Sequence, residues 1–350
     1  FMNFKRAIAG ITTNQLLFIE PSMHELLALS NTLLLCTSQH SPLCIDTFTE
    51  DLLDNLNKDL LTKCMDFKVD ISDDACIKLA RIIDNLAKND AEIELLMLGK
   101  SLCPLGRSLR KAIVDSMRHL PLIAIKNKQT IGECELFTVH FDPILTSLYS
   151  EPDRKVLLHW SNVMSDENGE IRPDATISKL QQRDFGSSLG YGQIKIARPT
   201  IDNLALCHDL CWKQCTIDAN SLEAALTFQV HGLRITFFLT RLRHDGIYVM
   251  QELSQFTFPR SLEEIAYLKL QNTMESNKAS YSSQNSTGGA TFVSLKNMRT
   301  LLILTDTFCA DLFVTLTHSW QLKRLPTHPS IYSLIDSTKN RHRFRALRFD

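Results

Sequence analysis

The sequence predicts an α/β (α+β) protein in which a helical N-terminal part precedes a mixed sheet flanked by helices. Three observations carry that reading. Leucines recur at helical spacing in the first part, at Leu52, Leu53, Leu56, Leu60 and Leu61. Residues 225–258 alternate in polarity and are broken at His231-Gly232 and His244-Asp245-Gly246, the pattern of consecutive hairpins. Between them, Val156 to Trp160 and Ile194-Lys195-Ile196 are short, apolar, β-rich segments that flank a stretch with chemical content, Arg172 to Lys195.

The chain has 350 residues, of which 44% are apolar and 22% charged, as in ordinary globular proteins. Basic and acidic residues nearly cancel, 38 against 39, so any nucleic-acid site has to be local. No run of 18 apolar residues occurs, which argues against a membrane span. The 10 cysteines include no Cys-x-x-Cys pair, and a reducing compartment, nucleus or cytoplasm, is the simplest setting. The opening Phe1-Met2-Asn3-Phe4 is not a native start, which leaves an upstream targeting segment open.

Residues 1–125 read as a helical domain. Ser22 and Glu25 have capping-box spacing, and the apolar run Leu26 to Leu35 after them reads as a buried helix. Helices follow at Thr47–Met65, Ala75–Ala87, Ala91–Leu98 and Leu105–Met117. The last carries Arg107, Arg110, Lys111 and Arg118, either a solvated stripe or an approach to nucleic acid. No catalytic constellation appears, so this domain is read as a surface for a protein partner.

After a polar link at Lys126–Gln129 the second domain, residues 131–320, begins with a helix, Leu136 to Tyr149. Glu133 or Glu135 lies on its first turn, where the helix dipole favours an acid in any case. Lys155 to Trp160 reads as a strand. Asp174 then precedes a second strand, and Ser178 to Gly192 reads as a longish hairpin loop that includes Gly186–Gly192. Gln193 and Lys195, two residues apart on one strand, share a face. If the strands pair, a carboxylate, an amide oxygen and an ammonium converge at the sheet end. One or two carboxylates with waters and substrate phosphates suit Mg²⁺ or Mn²⁺, and a lysine there can stabilise charge on a phosphoryl group. Structurally, the same residues are a turn acid, a solvent-facing amide and a surface charge.

Pro173-Asp174 followed by Gln193-Ile194-Lys195 resembles the signature of the PD-(D/E)XK nuclease superfamily, in its Mrr-like Gln-X-Lys form. Order and spacing are also similar to those of uncharacterised fungal repeat-family proteins. The resemblance implies a restriction-endonuclease-like sheet, with a helix before the motif strands and a helix and further strand after them. It implies Mg²⁺ or Mn²⁺ as cofactor, Asp174, Gln193 and Glu133 as metal ligands, and Lys195 as the charge-stabilising residue. Most members carry Asp or Glu where Gln193 stands, and a neutral oxygen there holds a divalent ion less strongly.

After Lys195 a helix is expected from Asp202 to about Thr216. Cys207, Cys211 and Cys215 span about 12 Å along it, too far for one ion, and read as a packed face. Three β-strands then extend the sheet, with Arg234, Arg241 and Arg243 along a groove or guarding an edge. A helix from Leu262 to about Met274 and a Ser/Asn/Gly-rich linker, Ser276 to Gly289, follow. An apolar segment, Thr291 to Leu316, precedes a basic tail over residues 321–350. Phosphate-loop, nucleophile-elbow and His-Glu-x-x-His motifs do not occur. Three functions remain: a metal-dependent nuclease acting on DNA before RNA, an inactive nuclease-fold module that binds nucleic acid or a protein, or a helical-bundle interaction protein in which the motif match is accidental.

Overall fold

The computed structural model describes residues 1–12, 17–18, 22–36, 39–64, 78, 81–82, 88–100, 102, 104–123, 131–150, 155–160, 173–182, 184–196, 217, 222, 224–243, 246–262, 264 and 346–347. The helices expected at Ala75–Ala87, Asp202–Thr216 and Leu262–Met274 lie outside these residues apart from isolated positions. So do the linker, the apolar segment after it and all but two residues of the basic tail.

The protein is mixed α/β, centred on a seven-stranded sheet flanked by helices. The helices are α1 (Met2–Thr12), α2 (Met23–Leu29), α3 (Pro42–Phe48), α4 (Glu50–Cys64), α5 (Lys88–Leu98) and α6 (Pro104–His119). A short turn, α7 (Glu133–Glu135), runs through a π-helical stretch, Leu136–Phe141, into α8 (Asp142–Tyr149). The strands are β1 (Leu17–Phe18), β2 (Thr32–Leu35), β3 (Val156–His159), β4 (Ala175–Gln181), β5 (Asp184–Lys195), β6 (Ala224–His231), β7 (Arg234–Leu242), β8 (Tyr248–Thr257) and β9 (Ala346–Leu347). The large sheet has the order β2-β8-β7-β6-β5-β4-β3, and β1 pairs separately with β9. β3, β4 and β5 form an antiparallel meander, as do β6, β7 and β8, and the two meanders meet where β5 runs parallel to β6.

The expected helix over Leu26–Leu35 is two elements. Asn31, at φ 58°, takes the left-handed conformation that ends α2, and the chain returns as β2, parallel to β8. All four β2 residues are buried, and a short run that is apolar on both faces carries no period to separate strand from helix. β2 brings part of the first 125 residues into the sheet. Ser22 stands at the N-cap of α2 without a side-chain cap bond, while Glu25 instead accepts a hydrogen bond from the Ser41 hydroxyl.

The loop expected over Ser178–Gly192 is strand almost throughout. Only Gln182 and Arg183 connect β4 to β5, with Gln182 at φ 58°. The glycines that suggested a loop serve close packing. A Cβ on Gly192 would lie 2.0 Å from Phe228 Cζ, and one on Gly190 would lie 2.5 Å from the Leu226 carbonyl oxygen. The Phe228 ring occupies the space over Gly192 on the adjacent strand, and register shifts along β4–β5 absorb the remaining residues.

Successive residues point to opposite faces, and the two faces differ in chemistry. One carries Ile177, Ile194, Leu226, Phe228, Phe237 and Leu239, which pack with Ile113 and Met117 of α6 and Leu145 and Leu148 of α8 into the main core. At the β7–β8–β2 end, Phe238 and Met250 point the other way, into a second core with residues of α1–α4. Towards β3, that second face carries Asp174, Thr176, Ser178, Tyr191, Gln193 and Thr227. It is the polar side of the sheet and the side of the candidate site.

Candidate active site

The register Ala175↔Gly192 between β4 and β5 puts Asp174 opposite Gln193, where the antiparallel hairpin meets its parallel neighbour β6. Asp174 Oδ2 accepts a hydrogen bond from the Ile194 backbone N–H at 2.7 Å, which pins the carboxylate across the strand pair. Lys195 Nζ lies 3.7 Å from the same oxygen, with both side chains partly exposed. Asp174 Oδ1 makes no hydrogen bond among the described residues.

Gln193 is only 8% exposed, and its Oε1 has no hydrogen-bond partner among the described residues. Such an oxygen costs about 1–3 kcal/mol if nothing satisfies it. It is therefore the atom in this site that most needs a ligand. Thr227 Oγ1, on the same face of β6, is also buried without a partner among the described residues.

The structure thus brings together Asp174, Gln193 and Lys195. Glu133 is exposed on α7 and makes no hydrogen bond or ion pair with any of the three. Among the described residues no group of three His, Cys, Asp or Glu side chains is placed to hold one metal ion. His208, Lys213 and the helical cysteines lie outside the described residues.

The sequence predicts the neighbouring strand but not which of its residues stand beside the site. Gln229 and His231 stand in register with Gln193 and Lys195 and point to the same face. Gln229-Val230-His231 repeats the polar-apolar-polar order of Gln193-Ile194-Lys195, and that repetition was the available signal. It was obscured because His231-Gly232 also marks the turn into β7, where Gly232 adopts φ 60° and donates its N–H to the Lys195 carbonyl at 2.8 Å.

At the β3 edge of the same face, where His159 pairs with Thr176, His159 Nε2 and Ser178 Oγ are 3.1 Å apart, and the imidazole stacks on Phe185 with centroids 4.2 Å apart. Burial holds the His159 imidazole below its usual pKa, so it is neutral at pH 7. Of the arginines, Arg118 of the α6 stripe is paired with Glu92 and Asp115, and Arg107 donates to the Leu102 carbonyl. Two of the four basic residues of that stripe are therefore engaged within the fold.

No family profile, curated protein or solved structure matches this chain.

Proposed function

We propose that the chain is a nuclease-like protein that hydrolyses DNA phosphodiester bonds with Mg²⁺ or Mn²⁺, on a restriction-endonuclease-like core. The observation that carries this reading is the Asp174–Gln193–Lys195 constellation at the β4/β5 end, with the Gln193 oxygen buried and unsatisfied among the described residues. Element order supports it. A helix precedes the motif strands and a further strand, β6, follows them, as the resemblance implies, while the helix it places between them lies outside the described residues.

The donor set fits a hydrated hard cation. Asp174 Oδ1 and Gln193 Oε1 are the two oxygens that would hold it, with waters and phosphate oxygens filling the remaining positions. When bound, the ion would supply Lewis-acid stabilisation and lower the pKa of a coordinated water. The chain's own residues orient and neutralise. The Ile194 N–H fixes Asp174, and Asp174 in turn holds the Lys195 ammonium at the mouth of the site. There it can bind a phosphoryl oxygen and stabilise charge that grows in the transition state.

A second reading is favoured by one feature. Asp174 Oδ2 already faces an N–H and an ammonium, so the site is internally neutralised in the manner of an inactive binding module. Calorimetry with Mg²⁺ and Mn²⁺ separates the two. Binding in the millimolar range or tighter, abolished by Asp174→Ala, together with plasmid cleavage that needs the metal, is the expected result. Nucleic-acid binding without Asp174-dependent metal binding would leave the inactive module as the function.

A further inference from the structure

We infer that the Phe185–His159 stack seats one unpaired base of a single-stranded nucleic acid whose backbone runs along the polar face to Asp174 and Lys195. This rests on the proposed function and adds to it a strand type and a second contact point. Exposed aromatics scattered singly on a surface need no explanation. Phe185 is different because of what holds it. It is 51% exposed, yet one face of its ring is covered by the His159 imidazole at 4.2 Å and 25° between planes. The imidazole is itself tied to Ser178, which is buried in β4. The Phe185 backbone is fixed too, its N–H donating to the Asp184 carboxylate at 2.8 Å. The outcome is a braced aromatic plane with its outer face open, the geometry on which a base stacks independently of sequence.

Placement links the plane to the site. Phe185 pairs with Leu180, and Asp174 precedes that position on the same face of the same strand. His159, whose ring covers Phe185, stands in register with Thr176 and bonds Ser178, so at about 3.3 Å per residue the stack lies roughly 7–13 Å along the strand from Asp174. That is a span of one to two nucleotides, so one segment can stack at one end and present a phosphate at the other. The charges along the path are mixed but permissive. Lys155 is exposed beside Leu180, whose N–H donates to the Lys155 carbonyl at 2.7 Å, and Lys195 closes the far end. Asp184 is the opposing charge. A duplex keeps its base faces covered, so only an unpaired base can use the ring.

The test is binding of fluorescein-labelled oligo(dT) to the full chain, read by anisotropy in EDTA so that nothing is cut. Phe185→Ala is expected to weaken binding about tenfold, the effect of losing one base stack. Phe185→Trp is expected to retain binding and to show indole quenching beyond that of the wild type. Binding of a duplex of equal length should change with neither substitution. Circular dichroism confirms that each variant is folded. If Phe185→Ala stays within about twofold of wild type while Lys195→Ala binds more weakly, the stacking seat is refuted and the nucleic-acid reading survives. If the wild type binds neither strand form, the nucleic-acid reading fails and the inference falls with it.

Discussion

Acidification should unfasten the α1–α4 lobe, and the group responsible is His24. Its imidazole is buried on α2, packed edge to face against the buried His40 ring with centroids 5.4 Å apart. Nε2 of His24 and both ring nitrogens of His40 have no hydrogen-bond partner among the described residues, although His40 Nε2 lies 4.0 Å from Asp54 Oδ1. The acids nearby are Glu25, engaged with Ser41, and Asp54 and Glu50 of α4, which act on His40. Burial first, and the neighbouring His40 second, pull the His24 pKa from 6.5 to about 4. The folded protein therefore keeps this imidazole neutral, while the unfolded chain binds a proton below pH 6.5. The unfolded state binds more protons in that window, so stability is complete above pH 6.5 and falls as pH drops towards 4. At pH 5 this shift is worth about 2 kcal/mol, and it levels off at about 3 kcal/mol below the folded pKa. Urea unfolding at pH 7 and pH 5 measures the effect, with His24→Leu as the variant that cannot titrate. The wild type should lose about 2 kcal/mol more than His24→Leu between the two pH values. Equal losses would refute the reasoning, because the acid sensitivity would then come from groups other than this ring.

Two substitutions in the central strands separate packing from chemistry. Gly192→Ala places a methyl where the Phe228 ring lies, and should cost about 3 kcal/mol in urea unfolding as that buried ring is displaced. Gln193→Glu exchanges the orphaned amide for a second carboxylate, and should tighten Mg²⁺ binding in calorimetry by at least about tenfold. An unchanged metal affinity would mean that position 193 does not face the ion.

The parts of the fold that were legible are those in which one face is wet. The β6–β7–β8 meander alternates in polarity and turns at Gly232 and Gly246, both at positive φ, so pattern and turn chemistry agreed. What failed to show was structure whose two faces have similar polarity. β2 is buried throughout, with leucine at three successive positions, and looked like a continuation of α2. The first part of β5, Asp184-Phe185-Gly186-Ser187-Ser188, has the composition of a loop, yet it pairs with β4 because small residues let the strands pass through two register shifts. Asp174, Gln193 and Lys195 were legible because strand period and hairpin pairing are local rules. Gln229 and His231 were not, since only the parallel pairing of β5 with β6, across a long connection, reveals them as neighbours.

The charge balance of the site has a consequence for how its ligands depend on one another. Among the described residues Asp174 is the one carboxylate in contact at the constellation, and one of its oxygens is committed to the Ile194 N–H and the Lys195 ammonium. Gln193 adds an oxygen but no charge. A divalent cation entering alone meets a weak donor set and a nearby positive charge, and a phosphodiester entering alone meets Lys195 beside an uncompensated Asp174 oxygen. Entering together, each removes the other's penalty: the phosphate supplies oxygens to the ion, and the ion neutralises the repulsion between phosphate and carboxylate. Coupling between two ligands is reciprocal, so on the proposed function nucleic acid would raise metal affinity by the factor with which metal would raise nucleic-acid affinity. A second carboxylate at position 193 would loosen that dependence by letting the ion bind first. On that proposal the glutamine would make metal binding conditional on substrate, and the Lys195–Asp174 pair would be the contact that relaxes when both arrive.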